Sequence, residues 1–436
     1  MNKVVAALTG IGIAMLMLTA LVPLIVDPFM IFPFVTPKAY AFRLLATGAL
    51  ICGLLPAIYR GGRPDGIFWA LAALLIVMLV ADADADFPRL AFTSTTERMG
   101  GFEELAFVVA YYAALRLLLR HKQHWQLILW SILGVTALVD MFAFYQAWLF
   151  PGVRVQSTLG NPAYLGTYAC LTTFIALYVA QNSARWPSYL AYGMAVASGE
   201  VVFLTQTRAA ILALFAGLCV VVWQKYNKRW IVALVLGSVG LILLEPDILH
   251  RFTHLASNHE EGNIRLEIWR MGWTGFTIHP WLGWGNEGFK ELYLTHVTPY
   301  LRAFTNQPFD RAHNLEVDWL ISGGLLGFSA YAALIGIGMR AAWRAPNRER
   351  SVLIGLLVAY VVDGQFIFDT PTSYPLLIVA LALSASVSRD VVDRSRRVVH
   401  DKTGNAGAAA HTLIVRPVSQ IGEANRARRR GDRRAS

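Results

Sequence analysis

Four basic side chains of this sequence could do chemistry. Three lie at the borders of long apolar segments, where charge is costly to place, and Arg265 lies in the long polar connection between two such segments. The four are Arg154 in RVQSTLGNPAYLG, Arg208 in LTQTRAAILAL, Arg265 in NIRLEIWRMGW and His313 in DRAHNLEVDWL. A guanidinium group binds two phosphate oxygens at once through its planar fork. Histidine titrates near pH 6.5 and is suited to taking a proton from a reacting hydroxyl. The cationic side chains on one face of the membrane therefore predict a bound anion.

Each of these residues also has a simpler interpretation. An arginine at such a border can pair with a lipid phosphate or a loop carboxylate, and a histidine often begins a helix. A metal site is not favoured, because only His250 and His254 show a ligand-like spacing of four. The acidic run Asp82, Asp84 and Asp86 would share one face only in extended backbone. We therefore expect a solvated loop edge there and no metal.

The composition excludes a water-soluble protein. Of the 436 residues, 56% are hydrophobic and 15% are charged, and the mean hydropathy is +0.48. A soluble domain carries about 25% charged residues. The three cysteines all lie inside apolar runs, which excludes a disulfide scaffold and a cysteine metal cluster. Apolar runs recur from residue 4 to residue 388, so we expect a polytopic membrane protein.

The apolar segments predict an all-α fold of about twelve membrane helices, since one span needs about 20 apolar residues. Residues 1–246 contain nine of these segments, and residues 313–388 contain three. They lie near 4–26, 40–59, 66–83, 102–120, 125–149, 161–181, 187–205, 208–225, 229–246, 313–339, 350–369 and 373–388.

The distribution of Lys and Arg predicts the orientation. They accumulate in alternate connections, from Arg60 and Arg63 to Arg344 and Arg348, which by the positive-inside rule are cytoplasmic. Both termini are then cytoplasmic. Residues 389–436 carry 12 Lys/Arg against 5 Asp/Glu, which predicts a disordered cytoplasmic tail attracted to anionic lipids. Nucleic acid is not an expected partner, because nothing folded accompanies the tail.

One outer connection, residues 247–312, is much longer than the others and rich in Trp and Tyr. The apolar spacing in NIRLEIWRMGWTGF predicts a helix, and FKELYLTHV predicts a second one after the glycine-rich turn WLGWGNEGF. We expect this loop to cover the mouth of the membrane bundle. Its tryptophans would contact sugars or belong to the aromatic belt of the interface.

Four stretches taken together resemble the O-antigen ligase and polymerase superfamily of bacterial envelope enzymes. They are RVQSTLGNPAYLGTYACL, LTQTRAAILALFAG, NIRLEIWRMGWTGFTIHPWLGWGNEGF and AHNLEVDWLISGGLLGFSAY. The resemblance covers roughly residues 150–340. It implies a scaffold like the C-type glycosyltransferases, a periplasmic active site, no cofactor, and a metal-independent transfer from a lipid-pyrophosphate-linked glycan.

The resemblance also implies roles for single residues. Arg208, Arg265 and, less securely, Arg154 would bind the donor pyrophosphate, and His313 would be the catalytic residue. Asn314, Asp310 and Trp269 are expected to support the site. Either Asp310 or Glu316 could orient the histidine.

Within the superfamily, the ligase reaction is favoured. The donor would be undecaprenyl-pyrophosphate-linked O-antigen, and the acceptor would be a sugar of lipid A–core at the periplasmic face of the bacterial inner membrane. A monomer among membrane lipids is favoured. Alternatives are an O-antigen polymerase, a protein O-oligosaccharyltransferase, or a transporter of lipid-linked sugars. A transporter should show midplane charges and inverted repeats, and no such repeat is visible.

Overall fold

The computed structural model describes residues 2–61, 64–225, 259–304 and 309–391, and every regular element within these ranges is helical. The α-helices are α1 (Asn2–Leu18), α2 (Thr36–Arg60), α3 (Gly66–Asp84), α4 (Pro88–Thr93), α5 (Phe102–Leu118), α6 (Lys122–Leu149), α7 (Pro162–Asn182), α8 (Arg185–Leu204), α9 (Arg208–Lys225), α10 (His259–Ile278), α11 (Gly288–His296), α12 (Pro299–Phe304), α13 (Leu315–Trp343), α14 (Asn347–Gly364) and α15 (Tyr374–Val391). A 3₁₀ helix, Thr19–Leu24, extends α1.

The predicted all-α polytopic membrane fold is confirmed. Eight helices within the described ranges are long and apolar enough to cross a membrane: α1 with its 3₁₀ extension, α2, α3, α6, α7, α9, α13 and α15. Helices α5, α8 and α14 coincide with three further predicted spans. The predicted span at 229–246, the histidine pair His250 and His254, and residues 392–436 of the tail lie outside the described residues.

Helix α7 forms the centre of the bundle. Its most apolar window is 83% buried, against 33–61% for the other candidate spans. It packs against α6, α8, α9 and α14. Gly166 lets α9 approach closely, because a Cβ there would lie 2.9 Å from the Cβ of Ala210. Small residues allow helices to associate in this way in membranes. The hydroxyl of Thr172 donates to the Tyr168 carbonyl at 3.0 Å, so this polar group is satisfied within its own helix.

Helix α5 has an ion pair at each end. At its beginning, Arg43 of α2 donates to Glu104 at 2.6 Å. At its end, Arg116 donates to Asp65 at 2.9 Å, and Asp65 also caps the start of α3. The two pairs fix α5 against α2 and α3.

The large loop is joined to the bundle through main-chain contacts with α13. Helix α13 is interrupted at Gly324, whose φ of 59° and ψ of −157° are not helical. The turn at residues 280–285 pairs with the backbone around this break. The N–H of Trp284 donates to the Ile321 carbonyl at 2.7 Å. Irregular backbone is tolerated within a membrane bundle when it is buried and paired in this way. We call this end of the bundle the loop side.

Two glycines permit this contact. A Cβ on Gly283, which has a φ of +70°, would lie 2.2 Å from the Ile321 carbonyl oxygen. A Cβ on Gly324 would lie 2.4 Å from the carbonyl carbon of Trp281. Any other residue would separate the turn from α13.

The acidic run is not a solvated loop edge at its first residue, so this expectation was wrong there. Helix α3 continues through Asp84, which leaves Asp82 fully buried. Its carboxylate accepts hydrogen bonds from the backbone N–H (2.6 Å) and the side-chain amide (2.7 Å) of Asn286. The glycine-rich turn reaches this carboxylate, which the sequence spacing alone did not indicate.

Replacing Gly283 with Ala should destabilise the folded protein by roughly 2–3 kcal/mol, because the new Cβ clashes with a fixed carbonyl and opposes a positive φ. Thermal unfolding of purified protein in detergent measures the change. Gly199→Ala in α8 is the matched control, since nothing lies within 4 Å of its Cβ position. The control should be neutral or stabilising, by at most about 1 kcal/mol. Equal melting temperatures for both variants would contradict the proposed role of the contact.

Candidate functional site

Five of the predicted site residues meet at one cavity on the loop side. The cavity has a volume of about 760 Å³, and its lining includes Arg154, Arg208, Arg265, Trp269 and His313. These residues come from the connection before α7, the start of α9, helix α10 and the segment before α13. The other lining residues are the polar Asn161, Gln206, Thr207 and Asp363 and the apolar Ala163, Ala209, Leu212, Ile264, Leu266, Ile268, Phe309, Phe366 and Ile367. The cavity thus combines cationic groups with an apolar surface.

Arg154 forms hydrogen bonds to the turn that precedes Arg208. Its Nε donates to the Thr205 carbonyl and its Nη2 to the Thr207 hydroxyl, both at 3.0 Å. Between them, Gln206 has a φ of +49°, which a residue with a Cβ rarely adopts. Arg208 is the first residue of α9, directly after this turn. Arg154 therefore borders the cavity and also holds the turn in place.

Arg265 and Trp269 lie one turn apart on α10, so their side chains share a face of that helix. The indole N–H of Trp269 donates to the Ala312 carbonyl at 3.1 Å. Ala312 directly precedes the histidine. The loop helix that carries Arg265 is therefore bonded to the segment that carries His313.

His313 has a left-handed backbone with a φ of +52°. Such a conformation costs on the order of 1–3 kcal/mol and persists only where the surroundings over-determine it. Here the N–H of Ala312 donates to the Asp318 carboxylate at 2.7 Å. Asn314 caps α13 by accepting from the N–H groups of Glu316 and Val317, both at 3.1 Å. The backbone on both sides of the histidine is thus fixed.

The surroundings of His313 favour a neutral imidazole with a defined tautomer. Its Nδ1 lies 3.2 Å from the Arg311 carbonyl oxygen. Since a carbonyl only accepts, Nδ1 carries the proton and Nε2 has the free lone pair. Burial lowers the pKa of His313 below 6.5, and the positive charge of Arg265 lowers it further, against the opposing effects of this hydrogen bond and of Asp310. A neutral imidazole can act as a base.

Asp310 contacts Arg98, an arginine to which the resemblance assigns no role. Both of its carboxylate oxygens accept from Arg98, at 2.5 Å from Nε and 3.0 Å from Nη2. Burial alone would raise the pKa of Asp310, but the hydrogen bonds and charge of Arg98 hold it below its usual value. Asp310 is therefore an ionised partner of Arg98, and the group facing Nδ1 of His313 is a backbone carbonyl.

Asp363 of α14, a residue to which the resemblance assigns no role, lines the same cavity. One carboxylate oxygen accepts from the Thr167 hydroxyl at 2.5 Å. Within the described residues the other oxygen is buried without a hydrogen-bond partner. Its position in the apolar run LLVAYVVDG was the available signal, because charges inside spans are usually functional.

The described residues thus form a helical membrane bundle with a basic cavity that a histidine also lines. Residues 193–332 match the family described as O-antigen ligase. An O-antigen ligase of Pseudomonas aeruginosa is 23% identical over 190 residues, which cover 41% of this chain and 43% of the relative. The chain thus spans less than half of the curated relative that it matches. The two matches confirm the resemblance to the O-antigen ligase superfamily.

The hydrogen bond from α10 to the histidine segment can be tested with two tryptophans of the same helix. Trp269→Phe should destabilise the protein by about 1–3 kcal/mol, because the Ala312 carbonyl loses its donor in a partly buried site. Trp273→Phe is the control, since Trp273 is 61% exposed. Thermal unfolding in detergent compares the two variants. A larger effect at Trp273 would contradict the proposed role of this bond.

Proposed function

We propose that this protein is an O-antigen ligase, which transfers glycan from undecaprenyl pyrophosphate to a sugar hydroxyl of lipid A–core. The observation that carries the proposal is the meeting of Arg208, Arg265 and His313 at one cavity. The proposed location is the bacterial inner membrane, with the loop side in the periplasm and both termini in the cytoplasm. The concentration of Lys and Arg in the opposite connections supports this orientation.

In the proposed reaction, the acceptor hydroxyl oxygen attacks the anomeric carbon of the donor glycan. Its proton passes to Nε2 of His313, which acts as the general base. The bond between the anomeric carbon and the pyrophosphate oxygen breaks, and undecaprenyl pyrophosphate leaves. A direct displacement of this kind inverts the anomeric configuration.

The arginines act on the leaving group. Negative charge develops on the pyrophosphate as the glycosidic bond breaks, and preorganised cations stabilise that charge in the transition state. The forks of Arg208 and Arg265 suit phosphate oxygens, so the proposed transfer requires no metal. Arg154 would contribute by holding the turn before Arg208. The apolar lining of the cavity would accommodate the first isoprene units of the lipid.

Replacing His313 with Ala should reduce kcat by on the order of 10²–10⁴-fold, the usual contribution of a general base. His279→Ala is a matched control in the same loop, because His279 is exposed and does not line the cavity. Initial rates of glycan transfer measure both. Wild-type turnover of the His313 variant would rule out its role as the base.

The lowered pKa of His313 predicts the pH dependence. The base is active when neutral, so the rate falls as the pH drops through the lowered pKa of His313. We expect kcat/KM measured over about pH 5–8 to have its acidic midpoint below 6.5. A midpoint above 6.5 would contradict this assignment.

Arg208→Lys and Arg265→Lys should each reduce kcat/KM by on the order of 10²-fold, since lysine keeps the charge but loses the planar fork. Arg270→Lys is the control on α10, because the Arg270 side chain is 74% exposed and pairs with Glu267. Inhibition by undecaprenyl pyrophosphate should weaken in the first two variants alone. Unchanged rates and inhibition there would contradict the pyrophosphate-binding role.

The function is tested with purified protein in detergent, excess chelator, undecaprenyl-pyrophosphate-linked O-antigen and lipid A–core. A ligase produces a ladder of lengthened lipopolysaccharide on a gel, and that product requires His313. Longer lipid-linked glycan instead would identify a polymerase. The absence of both products would overturn the ligase proposal and favour protein glycosylation or transport.

A further inference from the structure

The segment that leads into His313 is held by a separate contact at each of its residues. Asp310 is bound by Arg98. Arg311 pairs with Glu287 at 2.8 Å. Ala312 is held through both its N–H and its carbonyl, as described above. These contacts hold residues 310–312 in place, and so keep His313 in its left-handed backbone conformation.

Arg98 contacts the surroundings of His313 through three residues. Besides the two hydrogen bonds to Asp310, its Nη1 donates to the Tyr164 hydroxyl at 3.1 Å. Its guanidinium carbon lies 4.8 Å from the centre of the Phe368 ring. That ring packs edge-on against the imidazole of His313, with ring centres 5.5 Å apart. Arg98 is thus linked to His313 in two ways. It binds Asp310, three residues before the histidine in the chain, and it contacts Phe368, whose ring packs against the imidazole.

Arg98 is not among the residues that line the donor cavity. It lies in the connection between α4 and α5, and its side chain is 18% exposed. Its nitrogens are occupied by Asp310, Tyr164 and Glu97. With its nitrogens occupied in this way, Arg98 can act on the reaction through the residues that it holds. It also lines a second, smaller cavity, together with Arg311 and Phe368.

We propose that Arg98 is a positioning residue for the transfer reaction, which holds the imidazole of His313 in its reactive place through Asp310 and Phe368. This inference rests on the proposed ligase function and adds to it a residue from the α4–α5 connection. The fork geometry matters, because a bidentate pair fixes both the position and the plane of the carboxylate. A lysine would keep the charge without fixing that plane.

The charges around the histidine allow a test based on the pH profile of the reaction, which a purely structural role of Arg98 would not change. They are Arg265 on α10, Arg98 and Asp310, with Arg154, Arg208 and Asp363 lining the same cavity as the histidine. Arg98→Gln removes a cation and leaves the Asp310 carboxylate uncompensated, so the acidic limb of the kcat/KM profile should move to higher pH. Asp310→Asn removes the anion and leaves the cation, so the limb should move to lower pH.

The experiment measures kcat, KM and the pH profile of Arg98→Gln, Arg98→Lys and Asp310→Asn, with undecaprenyl-pyrophosphate-linked O-antigen as donor and lipid A–core as acceptor. We expect kcat to fall on the order of 10²-fold in the Arg98 variants, the usual effect of displacing a catalytic group by about 1 Å. The KM for the donor should change little. Arg98→Lys should not restore the rate.

Arg116→Gln is the matched control. Arg116 forms an ion pair with Asp65 at the opposite end of α5, with side chains 11% and 19% exposed, against 18% and 22% for Arg98 and Asp310. It should lower the melting temperature in detergent without moving the pH profile. Undecaprenyl pyrophosphate should bind to the Arg98 variants as to the wild type, which also shows that they are folded.

The outcomes separate the two proposals. If the wild-type protein transfers glycan, and Arg98→Gln has the same activity and the same pH profile, the positioning role alone is overturned. Shifts in the same direction for Arg98→Gln and Asp310→Asn would also overturn it. If the wild-type protein itself transfers no glycan to lipid A–core, the ligase function fails, and the positioning role fails with it.

Discussion

Every backbone N–H and C=O inside a bilayer must find its partner within the protein, and the whole architecture follows from this constraint. Long apolar segments satisfy it as helices, so regular structure fills the described bundle. Irregular backbone survives only where other parts of the chain pair with it. The break in α13 at Gly324 meets this condition, because the turn at residues 280–285 supplies main-chain partners. The same contact fixes the large loop over the cavity.

The cavity gains its chemistry from elements far apart in the chain. Arg208 comes from the start of α9, Arg265 from the loop helix, and His313 from the segment before α13. Each is supported by neighbours: Arg154 holds the turn before Arg208, and Trp269 bonds the loop helix to the residue before His313. In the proposed transfer, the imidazole would be the base and the guanidinium groups that line the same cavity would bind the anion.

The sequence predicted much of this arrangement and could not predict the rest, for physical reasons. Runs of about 20 apolar residues identify spans because hydrocarbon thickness sets their length. Charge at the borders of those runs indicated Arg208 and His313, and a cation in the outer loop indicated Arg265. The structure brings the three residues to one cavity. The pairing of Arg98 with Asp310 joins residues 212 positions apart, and no local pattern encodes such a contact. The break at Gly324 likewise depends on a turn from a distant segment.

The central claim is that this cavity holds the lipid pyrophosphate beside the base. A cryo-electron microscopy structure of the protein with undecaprenyl pyrophosphate tests it most directly. We predict the pyrophosphate between the guanidinium groups of Arg208 and Arg265, with Nε2 of His313 directed toward the position of the anomeric carbon. A pyrophosphate bound outside the cavity, or held by neither arginine, would contradict the account.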